Sequence, residues 1–122
     1  IYAYRELPVR YTESGEATVR MNETLASILL GNLLKNAYVH TPEGGEIAVE
    51  VSANRVVFRN TAAGGALDGE RIFERFYQSA KKQGSTGLGL ALVKAIARHS
   101  GIGVAYAFEG GAHVFSLTFP TK

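Results

Sequence analysis

Cysteine is absent from this sequence, and so is any long run of apolar residues. A chain without cysteine has no disulfide framework and no thiolate metal site, which excludes zinc ribbons and disulfide-stapled folds. No apolar stretch approaches the roughly 20 residues that a membrane-spanning helix requires. The start at Ile1 shows neither an initiator Met nor a signal-peptide pattern. We therefore expect an excised soluble fragment.

A large excess of charge is missing as well, because 13 Lys and Arg face 11 Asp and Glu and leave a net charge of +2. So small a charge predicts neither nucleic-acid nor membrane binding, although it tolerates an anionic ligand. The 122 residues, of which 46% are hydrophobic, suffice for one domain with one core. We expect a single domain over residues 1–122 and no nucleic-acid partner.

Apolar periodicity predicts two helices and three pairs of strands. Asn22 caps the first helix, which runs to about His40 before Pro42 stops it, and the second runs from Gly87 to about Ser100. The alternating segments are 1–7 with 17–21 around a turn at 12–16, 46–51 with 55–60, and 104–108 with 113–119. The sum is an α+β fold, a two-layer sandwich with helices on one face of a mixed, mainly antiparallel sheet.

Two asparagines interrupt the apolar face of the first predicted helix. At 100° per residue, Asn32 and Asn36 fall within the arc of Leu25, Leu29 and Leu33. Burying an amide without partners costs roughly 1 to 3 kcal/mol, so both side chains require hydrogen bonds or a ligand. The two amides either hydrogen-bond to backbone carbonyls of the adjoining loops or contact a bound molecule.

A glycine-rich stretch, 84–90, opens the second predicted helix. Free backbone N–H groups and the helix dipole attract phosphate there, and glycines let it approach. The alternative is an ordinary flexible loop with capping by Ser85 or Thr86. The stretch is neither a Walker loop nor a dinucleotide fingerprint, because it lacks Gly-Lys-Ser/Thr and follows a polar segment. Lys81 and Lys82 either reach a polyphosphate or lie on a solvated surface.

Three segments together resemble the sequence boxes of sensor histidine kinases. Residues 32–41 resemble the N box, 72–77 the F box and 85–93 the G2 box, in the family's order and spacing. The closing residues 110–120 resemble the last hairpin of that family's catalytic domain. The resemblance implies the Bergerat fold of the GHKL superfamily, in which ATP lies between the helices and a mobile lid joins the F and G2 boxes.

The same resemblance implies the site residues. Asn36 is expected to coordinate Mg²⁺ through its side-chain oxygen, Asn32 to assist with phosphate and metal-bound water, and Phe76 to anchor the lid. Asn32 and Asn36 are the expected catalytic residues. The expected nucleotide-binding residues are Asn32, Asn36, His40, Asn60, Gly64, Phe76, Lys81, Lys82, Ser85, Thr86, Gly87, Leu88, Gly89 and Leu90.

The sequence departs from the family at the G1 box, which normally reads Asp-x-Gly-x-Gly. The corresponding stretch, 60–64, begins with Asn60, which shares its parity with Val56 and Phe58 and so points into the core. Its carbonyl oxygen can still accept a hydrogen bond from adenine. We expect weaker but retained adenine binding.

A second departure is Val39, where the family's N box usually has Lys or Arg near the phosphates. Lys35 lies on the wetter face of the helix, so the lid lysines are the better substitutes. His40 either touches phosphate or interacts with the helix dipole.

Relatives of this fold that hydrolyse ATP carry Glu at the position of Asn32, and an amide cannot act as that base. The resemblance therefore implies a protein-histidine kinase, in which ATP phosphorylates a histidine of a separate helical-hairpin domain. The family's acceptor histidine precedes Glu or Asp, whereas the three histidines here precede Thr41, Ser100 and Val114. We expect structural roles for His99 and His113, and little self-phosphorylation by the fragment.

The implied cofactors are ATP and Mg²⁺, and the implied partners are the helical-hairpin domain and a downstream response regulator. We expect a cytoplasmic location within a membrane-anchored sensor, a homodimeric full-length protein and a monomeric fragment. Two alternatives remain open: a serine kinase of the anti-sigma type, and a degenerate nucleotide-sensing module that binds without transfer.

Overall fold

The computed structural model describes residues 9–15, 21–67, 69, 71–74 and 89–120 of the chain. The elements in chain order are β1 (Val9–Glu13), α1 (Glu23–His40), β2 (Ile47–Ser52), β3 (Arg55–Thr61), α2 (Gly89–Ser100), β4 (Gly103–Glu109) and β5 (Ala112–Thr118).

The five strands form one sheet in the order β1-β2-β3-β5-β4. Strand β1 runs parallel to β2, and every other neighbouring pair is antiparallel. Both helices contribute buried side chains to one core against this sheet. The predicted α+β sandwich with a mixed, mainly antiparallel sheet is confirmed.

Helix α1 has the predicted bounds because both of its ends carry strong signals. The Asn22 Oδ1 accepts hydrogen bonds from the backbone N–H groups of Thr24 and Leu25 at 2.8 and 3.2 Å. At the other end the Thr41 hydroxyl donates to the Ala37 carbonyl, and Pro42 follows. The cap and Pro42 thus set the bounds of the helix that contains Asn32 and Asn36.

The prediction for the N-terminal segment was wrong at three described positions, because Thr12 and Glu13 lie in β1 instead of a turn and Met21 lies outside any strand. The strand lies at the sheet edge and all five of its residues are exposed, so polar side chains cost it little. The predicted strand segments 1–7 and 17–20 lie outside the described residues. Met21 precedes α1 without strand structure.

From the 3.6-residue spacing of Leu92, Ala95 and Ile96 we expect these residues to be buried, but of these three only Ile96 is buried in α2. Its buried residues are Val93, Ile96 and Ala97, whereas Leu92 is 44% exposed and Ala95 and His99 are exposed too. The large apolar residues of this helix concentrate on one side, around Val93 and Ile96, and this is the face that packs. Contact with α1 and β4 selects it.

The core lies between the helices and one face of the sheet. The helices contribute Leu29, Leu33, Val93 and Ile96, and the sheet contributes Val56, Phe58, Phe115 and Leu117. No helix in the described part of the chain is both long and apolar enough to cross a membrane.

Candidate functional site

Asn32 is half-buried on α1, and its side chain is held by its own helix. The Nδ2 group donates to the Ile28 carbonyl at 2.9 Å. The Asn32 amide nitrogen therefore donates to its own helix and not to a loop carbonyl, which was one of the two partners expected. This bond fixes the orientation of the amide and leaves the Oδ1 as its available acceptor.

Gly89, the first residue of α2, lies against that oxygen. A Cβ added at Gly89 would stand 3.2 Å from the Asn32 Oδ1, which is closer than most Cβ contacts in proteins. Glycine thus allows the start of α2 to pass directly over the Asn32 amide. The fold thus brings Asn32 of α1 against the first residue of α2.

Asn36 lies one turn further along α1 and is half-buried. Among the described residues, none is within hydrogen-bonding distance of its amide. An amide oxygen is a hard ligand, and Mg²⁺ in phosphate sites takes one or two protein oxygens and completes its shell with phosphate and water. The described residues contain no group of three His, Cys, Asp or Glu able to hold a metal. Asn36 therefore fits a cation that a bound polyphosphate brings with it.

Asn60 lies at the other end of the candidate site, on the central strand β3. Only 1% of its surface is exposed, as its parity with Val56 and Phe58 predicted. Its Nδ2 donates to the Thr61 carbonyl at 3.2 Å, and no described donor reaches its Oδ1. A buried acceptor without a partner costs roughly 1–3 kcal/mol, so the position is suited to a ligand that brings a donor.

His113 of β5 is the residue directly opposite Asn60 in the sheet. It is buried, as its parity with Phe115 predicted, and burial lowers the pKa of its ring below the ordinary value of 6.5. Its Nδ1 lies 2.8 Å from the Tyr106 hydroxyl. A neutral imidazole can accept that hydroxyl proton, so the two side chains form a buried polar pair beside Asn60.

Tyr106 makes a second hydrogen bond that no sequence pattern predicts. Its hydroxyl accepts the backbone N–H of Leu67 at 2.9 Å, in the loop that follows Asn60. The only sequence signal for Tyr106 is its alternation with Val104 and Phe108, which predicts an inward side chain and nothing about its partner.

The remaining expected site residues divide into described and undescribed ones. His40 is half-buried at the end of α1, Leu90 is half-buried at the margin of the core, and Gly64 is exposed with no described atom within 4 Å of an added Cβ. Phe76, Lys81, Lys82, Ser85, Thr86, Gly87 and Leu88 lie outside the described residues.

Val39 is buried, and this explains its departure from the family's basic residue. A lysine there would place its charge in the core, which is costly without a partner. Lys35 is exposed, as predicted.

The described part of the F box is fixed to the core and to α2. Ile72 is buried, and the Phe73 ring packs edge-on against Phe115 with their centroids 6.2 Å apart. The Lys94 Nζ lies 5.6 Å from the centroid of the same ring. The segment 71–74 thus has a fixed base beside the candidate site.

Known proteins match this chain over nearly all of its length. Residues 21–122 match the family described as histidine kinase-, DNA gyrase B- and HSP90-like ATPase. The sequence is 32% identical to the sensor histidine kinase RppB of Synechocystis over 117 residues, which cover 88% of this chain and 26% of that protein. It is 40% identical to the heme sensor protein HssS of Staphylococcus aureus over 80 residues, which cover 62% of this chain and 18% of that protein.

Solved structures agree. The mycobacterial sensor histidine kinase MprB superimposes with a TM-score of 0.82 at 21% identity, over 93% of this chain and 83% of that one, which shows the fold. Full-length ShkA, solved in complex with AMPPNP, superimposes with a TM-score of 0.69 at 28% identity, over 95% of this chain and 27% of that one.

Proposed function

Because the chain belongs to the histidine kinase-, DNA gyrase B- and HSP90-like ATPase family, we propose that it binds Mg-ATP and presents the γ-phosphate to a histidine of a separate helical-hairpin domain. The observation that carries this proposal is the contact between Asn32 and Gly89. It places an oriented amide at the N-terminus of α2, where backbone N–H groups and the helix dipole favour phosphate.

Asn60 is proposed to receive the base. One N–H of its Nδ2 donates to the Thr61 carbonyl, and its Oδ1 accepts from no described residue, so the oxygen is available to a ligand. The exocyclic amino group of adenine is a donor of the required kind.

Asn36 and Asn32 are proposed to serve the phosphates. Mg²⁺, when bound, would neutralise charge on the phosphate oxygens. The Asn36 oxygen is its protein ligand in this proposal, and the Asn32 Oδ1 accepts a hydrogen bond from a water molecule bound with the phosphates. ShkA, part of which resembles this chain, was solved in complex with AMPPNP, and this supports nucleotide binding by the chain.

The phosphoacceptor is proposed to come from outside the chain. His113 is buried against Tyr106, His40 closes α1, and His99 lies on α2, so none stands on a helical hairpin. The relatives are far longer than the chain, which leaves room in them for other domains. We propose that the chain is the cytoplasmic catalytic domain of a homodimeric sensor, whose phosphohistidine supplies a response regulator.

Calorimetric titration of the chain with Mg-ATP and Mg-ADP tests the nucleotide site. We expect Asn36→Ala to weaken ATP binding roughly 10- to 100-fold, because a hydrogen bond or ligand bond to a charged group is lost. The loss is expected to shrink when EDTA replaces Mg²⁺. Ser27→Ala, an exposed change on the same helix, is the matched control and is expected to bind as the unchanged chain does. Equal affinities of the Asn36→Ala variant and the unchanged chain in Mg²⁺ would contradict the proposal.

Reconstitution with γ-labelled ATP tests the transfer. We expect label on the histidine of a supplied helical-hairpin domain and almost none on the chain alone. A second candidate, a nucleotide-sensing module without transfer, is favoured by the buried Val39, which leaves the N box without its usual cation. Binding without labelling of any domain would select that candidate, and label on a protein serine would select a serine kinase.

A further inference from the structure

The Tyr106 hydroxyl connects the loop after Asn60 to the buried ring of His113. We propose that Tyr106 is a positioning residue for the nucleotide base, and that it holds loop 62–67 beside Asn60 while His113 orients its hydroxyl. This inference rests on the proposed function, because it assumes that the base binds at Asn60.

Loop 62–67 is attached to the β4–β5 hairpin at both of its ends. The Ala62 N–H donates to the Gly111 carbonyl at 2.9 Å, and the Leu67 N–H donates to the Tyr106 hydroxyl at 2.9 Å. The four residues between these anchors are exposed. The path of the loop is therefore set by one backbone bond and one side-chain hydroxyl, and only the hydroxyl can be removed by mutation without disturbing the sheet.

The direction of the hydrogen bonds follows from the donors. Leu67 offers an N–H and can only donate, so the Tyr106 oxygen accepts there, and its own hydroxyl proton is available to the His113 Nδ1. The hydroxyl donates to Nδ1 when the neutral His113 ring carries its proton on Nε2. Each of these two bonds polarises the other, which favours the pair over either bond alone.

The pair stands next to the proposed base acceptor. Asn60 and His113 are directly opposite in the antiparallel β3–β5 ladder, and both have the parity of core residues. Opposed residues of such a ladder have Cβ atoms roughly 4.5–5.5 Å apart on one face of the sheet. A base that bonds to Asn60 therefore lies against His113 and beneath the loop that Tyr106 holds.

Loss of the Tyr106 hydroxyl is expected to reduce Mg-ATP affinity, because fewer molecules then have loop 62–67 correctly placed. A protein that binds only when its loop is correctly placed has an apparent affinity reduced by the fraction of molecules in that state. One hydrogen bond changes such a ratio by roughly two- to tenfold. The effect is expected on binding at temperatures where the chain remains fully folded.

Tyr106→Phe removes the hydroxyl and keeps the ring, whose centroid lies 5.1 Å from that of Phe115. We expect Mg-ATP affinity to fall roughly three- to tenfold, with faster hydrogen exchange at the Leu67 amide. Tyr11→Phe is the matched control, because Tyr11 is 61% exposed on the edge strand. It is expected to change neither quantity.

Variants of His113 distinguish a positioning role of Tyr106 from a purely structural one. Asn has an oxygen where His has its Nδ1, so His113→Asn is expected to keep the Tyr106 bond and near-normal affinity. His113→Ala removes the acceptor and is expected to behave like Tyr106→Phe. If Tyr106→Phe and His113→Ala bind Mg-ATP as tightly as the unchanged chain, the inference is overturned while the proposed function stands. If the unchanged chain binds no nucleotide, both are overturned.

Discussion

The two ends of the candidate site are built differently. At the base end Asn60 and His113 are buried and opposed in the sheet, and the Tyr106 hydroxyl ties the neighbouring loop to them. At the phosphate end Asn32 and Asn36 are half-buried on one helix, and the described chain offers Asn36 no partner. In the proposed function the base end would thus be organised before any ligand arrives, whereas the phosphate end would acquire its remaining bonds from the ligand.

This contrast has an energetic reason. A nucleobase is largely apolar and offers few hydrogen-bonding groups, so a preformed pocket loses little entropy when it binds. Phosphates carry charge and bring water and metal with them, so a half-open end tolerates their hydration. We therefore expect variants at the two ends to differ in how much they change stability and how much they change ATP binding.

Asn60→Asp is expected to have the largest effect of the remaining changes, because it raises ATP affinity and lowers the free energy of unfolding. A carboxylate is a stronger acceptor for the adenine amino group, so ATP is expected to bind roughly five- to tenfold more tightly. Without nucleotide, the buried carboxylate is expected to lower the free energy of unfolding by about 2 kcal/mol or more.

Calorimetry and denaturant unfolding of the same Asn60→Asp preparation measure both effects. Asn54→Asp, at the β2–β3 turn, introduces the same change of group away from the site. Unchanged or weaker nucleotide affinity of Asn60→Asp would show that the base does not bind at this residue.

Gly89→Ala probes the phosphate end and is expected to have an intermediate effect. The new Cβ would stand 3.2 Å from the Asn32 Oδ1 and displace the amide by a few tenths of an ångström. We expect ATP affinity to fall roughly three- to tenfold, as for one lost hydrogen bond, with little change in stability.

Gly31→Ala is the matched change on α1, where an added Cβ meets nothing within 4 Å. It is expected to leave affinity unaltered and to raise the free energy of unfolding by roughly 0.5–1 kcal/mol, because alanine favours a helix over glycine. If both alanine variants bind ATP equally well, the contact between Asn32 and Gly89 is not part of the nucleotide site.

The sequence could predict those parts of this molecule that local signals determine. Helix α1 carries a cap and a proline stop, and β2 carries apolar residues at every second position before a turn at Ala53 and Asn54, so the positions of the helix and the hairpin followed directly. The burial of Asn60 followed from parity in the same way. These features require no knowledge of what packs against them.

The parts that the sequence could not predict depend on tertiary contacts. The prediction of the buried face of α2 was wrong because it centred that face on Leu92 and Ala95, whereas the residues that pack are centred on Val93 and Ile96. Strand β1 was misplaced because an edge strand can consist of exposed polar residues. The bond from Leu67 to Tyr106 joins residues 39 positions apart, and no local pattern encodes such a pair.

The smallest expected effect is a pH dependence of stability at the base end. Burial lowers the pKa of His113 below 6.5, so in acid the unfolded chain takes up a proton at this residue before the folded chain does. Uptake by the unfolded state favours unfolding. The stability from neutral His113 is therefore fully present above pH 6.5 and is lost as the pH falls through the folded-state pKa.

Denaturant unfolding between pH 7.5 and pH 5, compared between the unchanged chain and His113→Asn, isolates this residue. One proton sets the limit of the slope at about 1.4 kcal/mol per pH unit. His113→Asn is expected to flatten the profile, whereas His99→Asn, at an exposed position on α2, is expected to leave it unchanged. Because the same ring accepts the Tyr106 hydroxyl proton, ATP affinity is expected to fall over the same pH range. A profile that His113→Asn leaves unaltered would show that the base end does not depend on a neutral ring, and the contrast between the two ends would then rest on Asn60 alone.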